Sequence, residues 1–345
     1  MSSAIDSIAV LRLSALGDVT LVLPTVRRLQ RALPGARITW ITTEPAHQLL
    51  SGLGGIEFEV LPKPRSLSDI VKAKRQLRAR RFDVLLAMQA SFRANLLIPM
   101  IRAPLKIGFD RQRAHDGQWL FTNRRIPFSR DHLLDSFLSF ATELGIEDES
   151  VSWELPIGEA DDAWAEEQIS GGQRCLVVHP SASKPERNWL PSRYIDAIKS
   201  ARKRWDLRVV LSGGGAQEEL SLVNEIAAGA GNGIASLAGR TTPKQLAALL
   251  KRADCLLAPD TGPVHIATAV GTPIVGLYAV APPELSGPYK NMDLVVNRYP
   301  QAVSKFLDTH SESIAWGTRV HTKEAMALIR VDDVLERLER VFGTE

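Results

Sequence analysis

The sequence predicts an α/β protein made of two similar halves, each built around a parallel sheet. Short, β-branched apolar runs alternate with stretches that have the spacing of an amphipathic helix. A polar, acidic stretch near residues 158–173 separates two such series, and the second begins near residue 174. Strands that alternate with helices form parallel sheets through right-handed crossovers, so we expect two Rossmann-like domains.

The first half opens with a strand, a loop and a helix. IAVLRL (8–13) is apolar and β-branched, SALGD (14–18) is a loop, and LVLPTVRRLQRAL (21–33) has helical spacing. Further strands are predicted at RITWIT (37–42), RFDVLLAMQ (81–89) and PLKIGF (104–109). This series predicts a first domain over residues 1–155.

The second half repeats this arrangement without repeating the sequence. Strands are predicted at RCLVVHP (174–180), RVVLSGGG (208–215), IASLAG (234–239), ADCLLAPD (253–260) and TPIVGLYA (272–279). The intervening helices include QEELSLVNEIAA (217–228) and TPKQLAALLKRA (242–253). We therefore predict a linker at 156–172 and a second domain at 173–325. Residues 326–345 form an amphipathic helix, for which packing back on the N-terminal domain is one option.

The composition favours a cytoplasmic protein. No window has the uninterrupted apolar length of a membrane helix, and the first residues lack the basic leader and apolar core of a signal peptide. The two cysteines, Cys175 and Cys255, both lie in apolar runs. We expect them to be reduced core residues.

Charge is distributed unevenly along the chain. Residues 61–130 contain 16 Lys and Arg against four Asp and Glu, whereas residues 151–345 contain 21 against 24. A basic segment favours contact with a polyanion or an anionic surface, although solvated helix faces explain part of it. Nucleic-acid binding is the rival function from another class. The segment has few interleaved aromatic residues and no RNA-binding signature, which argues against that function.

Four loops carry the candidate chemistry. In open parallel sheets, ligands bind at the carboxyl ends of the strands, where SALGD (14–18), HPSASKPERNW (179–189), SGGGAQEE (212–219) and PDTGPVH (259–265) are predicted. None of them is a G-x-G-x-x-G or P-loop motif, so nothing indicates a kinase, an NTPase or a standard dinucleotide site.

PDTGPVH has the residues of a helix start that binds an anion. Thr261 can cap the helix, Gly262 permits a close turn, and Pro263 lies in the first turn, where it loses no hydrogen bond. The free N–H groups of such a start favour phosphate. An ordinary strand–turn–helix connection would explain these three residues, but it gives no reason for Asp260 and His265 beside them.

HPSASKPERNW is the second candidate phosphate loop. It brings Ser181, Lys184 and Arg187 out of a buried strand. The two cations suit a diphosphate by charge, and Arg can also bind it through two hydrogen bonds. The alternative is a plain polar loop.

The two remaining loops supply carboxylates. Glu218 or Glu219 could accept hydrogen bonds from ribose hydroxyls, or both could be first-turn acids that favour the helix dipole. Asp18 is either a helix-capping residue or a carboxylate that serves as a general base. Spacing does not decide between these alternatives.

Taken together, these motifs resemble the ADP-heptose:lipopolysaccharide heptosyltransferases of glycosyltransferase family 9. SALGDVTLVLPTVRRLQRALPGARI is similar to the family's N-terminal small-x-x-G-D motif and first helix. DTGPVHIATAVGTPIVGLY is similar to its D-[ST]-[GA]-x-x-H-[IL]-A-A-x-x-x-P signature, and the resemblance spans nearly the whole chain. It implies a GT-B fold, with two Rossmann-like domains whose parallel sheets face across a cleft.

The resemblance also implies roles for individual residues. Asp18 matches the catalytic aspartate, the Thr261–Gly262 turn matches the diphosphate-binding loop with Asp260 and His265 beside it, and Glu218 matches a ribose contact. The chain departs from the family where Arg187-Asn188-Trp189 replaces the usual Lys-x-Trp. Either Arg187 or Lys184 could therefore make the leaving-group contact.

The segment GFDRQRAHDGQWLFTNRRI (108–126) most resembles the heptosyltransferase I type. The implied reaction is an inverting transfer, without metal or cofactor, from ADP-L-glycero-D-manno-heptose to the Kdo–lipid A region of the inner core. Lys63 and Arg65 would attract this anionic acceptor, and its membrane anchor implies peripheral contact with the inner membrane. Another nucleotide-sugar or a later inner-core acceptor is the alternative, and the oligomeric state is left open.

Overall fold

The computed structural model of the protein describes residues 5–62 and 67–343. The chain divides into two compact units, residues 1–156 and 157–345. The division lies next to the predicted end of the first domain at residue 155.

The first unit contains a six-stranded parallel sheet. Its strands are β1 (Ser7–Leu11), β2 (Arg37–Thr43), β3 (Ile56–Leu61), β4 (Val84–Leu86), β5 (Leu105–Gly108) and β6 (Arg124–Arg125). Its helices are α1 (Leu16–Ala32), α2 (Glu44–Leu50), α3 (Leu67–Arg78), α4 (Phe92–Asn95) and α5 (Leu133–Thr142), with 3-10 helices at Ile98–Met100 and His115–Leu120. All five residues of β1 are buried, as expected for a central strand covered on both faces.

The second unit contains another six-stranded parallel sheet. Its strands are β7 (Cys175–Val178), β8 (Arg208–Leu211), β9 (Ala235–Ser236), β10 (Cys255–Pro259), β11 (Ile274–Tyr278) and β12 (Val296–Asn297). Its α-helices are α6 (Glu159–Ile169), α7 (Pro191–Trp205), α8 (Gln217–Ala230), α9 (Pro243–Arg252), α10 (Gly262–Val270), α11 (Pro283–Ser286), α12 (Tyr299–Leu307) and α13 (Val331–Phe342). Four 3-10 helices span Pro185–Arg187, Met292–Leu294, Ser311–Ser313 and Lys323–Leu328.

Both sheets have the same doubly wound strand order. The first runs β3-β2-β1-β4-β5-β6 and the second, read in reverse, β9-β8-β7-β10-β11-β12. In each unit the winding changes direction between the first and fourth strands, and ligands of such folds bind outside the carboxyl ends of these strands. We therefore expect ligand-binding residues in the loops that follow β1 and β4 in the first unit and β7 and β10 in the second. The predicted pair of Rossmann-like domains is confirmed.

Two segments that the sequence placed outside the second domain belong to the second unit. Residues 156–172, expected to be a linker, contain α6, which packs on α9, and Asp162 on α6 accepts hydrogen bonds from Arg252. The last helix, α13, belongs to the second unit, where it packs against α7. Its buried face includes Leu338 and Phe342, which join the hydrophobic core of that unit.

The two cysteines are free and buried, as predicted. Burial raises the pKa of both thiols to about 12, so Cys175 and Cys255 are uncharged core side chains. In the described parts of the chain we find no helix with the length and apolar character required to cross a bilayer.

Candidate functional site

The loop between β10 and α10 has the geometry of a helix start. Thr261 occupies the N-cap position with extended backbone angles (φ −151°, ψ 163°), and Pro263 lies at the second helical position. The Thr261 hydroxyl makes no capping hydrogen bond. Pro263 has no N–H and the Val264 N–H donates to the Thr261 carbonyl at 3.1 Å, so the N–H of Gly262 is the backbone donor that this helix start offers to an anion.

Asp260, the residue before this helix start, holds an arginine from the neighbouring loop. Its Oδ2 lies 3.1 Å from Nη1 of Arg187, and its backbone carbonyl lies 3.3 Å from the same nitrogen. Ser286 Oγ donates to Asp260 Oδ1 at 3.4 Å. The carboxylate is thus engaged by protein groups on both oxygens, which gives Asp260 the task of fixing Arg187.

The loop after β7 presents buried polar atoms that no described residue satisfies. Ser181 is buried and its Oγ has no hydrogen-bond partner, and the same holds for Nε of Arg187. The two ends of the loop are tied together, because the Ala182 N–H donates to Asn188 Oδ1 at 2.8 Å. Buried polar groups are normally paired, so two such atoms on one closed loop beside a helix start indicate a polar ligand.

Lys184 and Glu218, two further predicted residues, are exposed to solvent. Glu219, which the sequence left as an alternative to Glu218, accepts a hydrogen bond from the N–H of Gly214. Glu219 therefore stabilises the glycine-rich turn after β8, whereas Glu218 presents its carboxylate to solvent at the start of α8.

Two histidines at this edge of the sheet are buried. His265 lies inside α10. The Nδ1 of His179 lies 3.0 Å from Ser212 Oγ, and burial lowers the pKa of His179 to about 4. His179 is consequently neutral near pH 7 and joins the ends of β7 and β8 through a hydrogen bond.

In the first unit, Asp18 lies in the first turn of α1 and contacts an arginine from the end of β1. Arg12 Nη2 lies 2.5 Å from Asp18 Oδ2, and the Ala15 N–H donates to the same oxygen at 3.2 Å. Arg12 is itself held by the Met88 carbonyl, to which Nη1 donates at 2.7 Å, and its guanidinium lies 5.3 Å from the Phe137 ring centroid. Asp18 thus accepts the Ala15 N–H at the start of its helix and forms an ion pair with Arg12, and its role as a general base stays a prediction.

A cavity of about 410 Å³ opens beside this loop. Its lining comes from the ends of β1, β2 and β4 and from α4, and comprises Leu13, Ser14, Thr43, Gln89, Ser91, Phe92 and Arg93. Gln89 Oε1 accepts from the N–H groups of Leu13 and Ser14 at 2.8 and 3.3 Å, which fixes the loop that precedes Asp18. The cavity lies at the carboxyl ends of β1 and β4, where the topology predicts a ligand.

The predicted acceptor residues Lys63 and Arg65 lie outside the described residues. Across residues 5–62 and 67–343, no three or more His, Cys, Asp and Glu side chains are grouped so that they could hold a metal ion.

Sequence reasoning missed Arg12 and Gln89. Arg12 sits in an apolar strand end, IAVLRL, and Gln89 ends another, RFDVLLAMQ. Polar residues at the carboxyl ends of two buried strands were the available signal, because such ends point toward the ligand edge of a parallel sheet.

Comparison with known proteins gives a consistent result. Residues 70–314 match the model of glycosyltransferase family 9 (heptosyltransferase). The chain is 36% identical over 342 residues to the lipopolysaccharide core heptosyltransferase OpsX of Haemophilus influenzae, which covers 99% of this chain and 98% of that protein.

Solved structures share the fold. A glycosyltransferase family 9 protein from Veillonella parvula superposes with a TM-score of 0.81 at 23% identity, covering 99% of both chains. The Escherichia coli heptosyltransferase WaaC, solved with ADP, superposes with a TM-score of 0.74 at 18% identity, covering 97% of this chain and 99% of that one. The two doubly wound units are thus those of the GT-B fold. From its family match and its full-length relative, this chain is a glycosyltransferase that belongs to glycosyltransferase family 9, the heptosyltransferases.

Proposed function

We propose that this enzyme transfers heptose from ADP-L-glycero-D-manno-heptose to the Kdo–lipid A region of the lipopolysaccharide inner core. The full-length relative at 36% identity is a lipopolysaccharide core heptosyltransferase, and WaaC was solved both with ADP and with an ADP-heptose analogue. These relatives support the donor and the class of acceptor. The family resemblance of residues 108–126 supports the first-heptose step.

The observation that carries the donor assignment is the arginine fixed beside a helix start. Arg187 is oriented by Asp260 and keeps an unsatisfied, buried Nε, next to the helix start at Gly262. A diphosphate would use the exposed part of the Arg187 guanidinium and the Gly262 N–H at the start of α10, since both are hydrogen-bond donors that favour negative charge.

The remaining predicted donor residues are assigned the following contacts. Ser181 Oγ would bond the diphosphate, and exposed Lys184 would approach its outer oxygens. Thr261 would contact a phosphate through a hydroxyl that makes no capping bond, and His265 lies in the first turns of the same helix. Glu218 would accept from the ribose hydroxyls.

Asp18 is the proposed general base of a single inverting displacement. The carboxylate would take the proton of the acceptor hydroxyl while that oxygen forms a bond to the anomeric carbon. The bond between that carbon and the phosphate oxygen breaks, and ADP leaves with the electron pair. Arg187 and the α10 start would stabilise the charge that grows on ADP, which is the role a metal ion has in other enzymes.

Contacts with the acceptor are proposed in the first unit. The cavity beside the Asp18 loop would hold the acceptor sugar whose hydroxyl attacks the donor, and Lys63 and Arg65 would attract the anionic groups of the acceptor. Because lipid A is anchored in the membrane, the enzyme would work at the cytoplasmic face of the inner membrane.

The direct test is a transfer assay with purified enzyme, ADP-heptose and lipopolysaccharide that lacks all heptose. We expect each acceptor to gain one heptose, detected by mass spectrometry, with an inverted anomeric centre in the NMR spectrum. The rate should be unchanged by EDTA. Absence of transfer would remove the proposed function, and retention of configuration would remove the single displacement.

The second candidate function is transfer from another nucleotide-sugar or to a later inner-core acceptor. It is favoured by Arg187, which stands where the family usually has lysine. Thermal shifts with ADP, UDP and GDP separate the donors, because the proposed enzyme should be stabilised most by ADP. An acceptor that already carries one heptose separates the acceptors. Faster transfer to it than to the heptose-free acceptor would favour a later step.

A further inference from the structure

Exposed apolar side chains cluster on one part of the first unit. Phe92 and Leu120 are 64% and 63% exposed, and Trp119 is 39% exposed. These are three of the seven large apolar side chains that are exposed in the described part of the chain. Phe92 lies on α4, and the other two lie on the 3-10 helix His115–Leu120.

These two short helices are joined. Asn95 Nδ2 donates to the carbonyls of His115 and Asp116, each at 3.0 Å, and the Phe92 N–H donates to Asp116 Oδ2 at 2.7 Å. The three apolar side chains therefore belong to one supported surface rather than to separate loops. Clustered exposed apolar residues mark interaction sites more often than scattered ones do.

The same surface is cationic. Arg93 and Arg111 are exposed, and the Arg111 guanidinium lies 5.0 Å from the centroid of the Trp119 ring. Residues 91–130 contain eight Lys and Arg but only two acids, and both acids are already engaged. Asp110 pairs with Arg113, and Asp116 accepts from the Phe92 N–H.

Aromatic and aliphatic side chains next to arginines are typical of an interfacial anchor. The rings and the leucine enter the boundary between head groups and acyl chains, and the guanidinium groups bind lipid phosphates. A negatively charged leaflet adds an attraction for each nearby Arg. The combination of apolar area and positive charge favours an anionic bilayer over a nucleic acid, which would meet Leu120 without a stacking partner.

The surface also borders the cavity beside Asp18. Phe92 and Arg93 line that cavity together with Leu13 and Ser14. An acceptor held in a membrane that contacts this surface would lie next to the cavity mouth. Because the surface and the cavity are neighbours, contact with a membrane would deliver a lipid-anchored acceptor to the cavity.

We propose that Phe92, Trp119 and Leu120, with Arg93 and Arg111, form a docking surface for an anionic phospholipid bilayer. The proposal rests on the proposed function for its purpose, but bilayer binding itself requires no transfer. Docking brings the cavity of the first unit to the membrane from which the acceptor projects.

The test measures co-sedimentation of the full chain with vesicles of equal parts phosphatidylglycerol and phosphatidylcholine. We expect binding that weakens in high salt and is much weaker with phosphatidylcholine alone. The double variant Trp119→Ser/Leu120→Ser should bind at least about tenfold more weakly, because it loses two apolar side chains from the interface. The matched control, Met292→Ser/Leu307→Ser, changes two exposed apolar side chains of the second unit and should bind like the wild type.

The outcomes separate docking from catalysis. Three results would each overturn the docking surface. The Trp119→Ser/Leu120→Ser variant could bind vesicles as well as the wild type does, the control variant could lose as much binding as that variant, or the wild type could fail to bind anionic vesicles. An RNA oligonucleotide that competes the vesicles off completely would also count against it. Vesicle binding of the expected pattern without any heptosyl transfer would support docking and remove the proposed function. A circular dichroism spectrum like that of the wild type ensures that the variants are folded.

Discussion

Replacing Asp260 with Asn removes one charge of its ion pair with Arg187 and keeps the shape of the side chain. Both side chains are largely buried, at 10% and 13% exposure. Removal of one partner from a buried pair costs about 3 to 5 kcal/mol, because the other charge is left without compensation. Because both side chains keep some exposure to solvent, the expected loss in the free energy of unfolding is about 3 kcal/mol. For a unit of this size, that loss corresponds to a decrease of about 6–12 °C in the unfolding midpoint.

The variant should also bind ADP about tenfold more weakly, since an Arg187 that is no longer fixed loses part of a charge-assisted hydrogen bond. Thermal unfolding gives the first quantity and isothermal calorimetry gives the second. Asp162→Asn is the matched control, because its pair with Arg252 is more exposed, at 29% for each side chain, and lies on α6 and α9. We expect this control to change neither midpoint nor ADP affinity appreciably. Equal effects of the two substitutions would refute the assignment of Asp260 as the residue that fixes Arg187.

Two further predictions concern the second unit. Because burial lowers the pKa of His179 to about 4 from 6.5, the unfolded chain gains a proton below pH 6.5 that the folded chain does not. Stability should therefore fall as the pH decreases from 6.5 to 4, by about 2 kcal/mol at pH 5 from this group, and urea unfolding of His179→Gln should show a smaller pH dependence. If the two proteins share one pH profile, His179 is not the source. Phe342→Ala should cost about 3–5 kcal/mol in urea unfolding, because it opens a cavity where α13 packs on α7. A loss no larger than that of the partly buried neighbour Val341→Ala would contradict the packing described for this helix.

The sequence predicted the central strands of both sheets because these strands are buried on both faces and read as continuous apolar runs. It missed β3, IEFEVL, whose acids alternate with apolar residues at the sheet edge. Glu57 and Glu59 both pair with Arg80, so the acids are satisfied on the surface of the unit. An edge strand of this kind has no continuous apolar run, and its identity depends on pairing with β2.

The linker and the last helix show a second limit. An acidic, polar stretch is typical of a solvated connection, yet α6 finds a basic partner in Arg252, ninety residues away in the sequence. The apolar face of α13 was evident from its spacing, but the choice of α7 as its partner depends on tertiary packing that no local pattern encodes.

The sequence predicted which loops carry the candidate site residues, but it did not predict which of their side chains contact each other. Loop residues at strand ends could be chosen because parallel sheets place their ligand edges there. The contacts between Arg187 and Asp260 and between Arg12 and Asp18 could not be chosen, since each depends on how two neighbouring strand ends are placed in space. These contacts add a second interpretation of Asp260, whose carboxylate orients Arg187, while its predicted contact with the donor stays a prediction.

The catalytic role of Asp18 is the centre of the proposed reaction, and Asp18→Asn tests it most directly. Asn preserves the side-chain shape and can still accept from the Ala15 N–H, but it is no base. Transfer from ADP-heptose to heptose-free lipopolysaccharide should fall by about 10²- to 10⁴-fold in kcat, with ADP affinity unchanged because the donor is assigned to the second unit. A kcat near that of the wild type in a folded Asp18→Asn enzyme would contradict the proposed reaction.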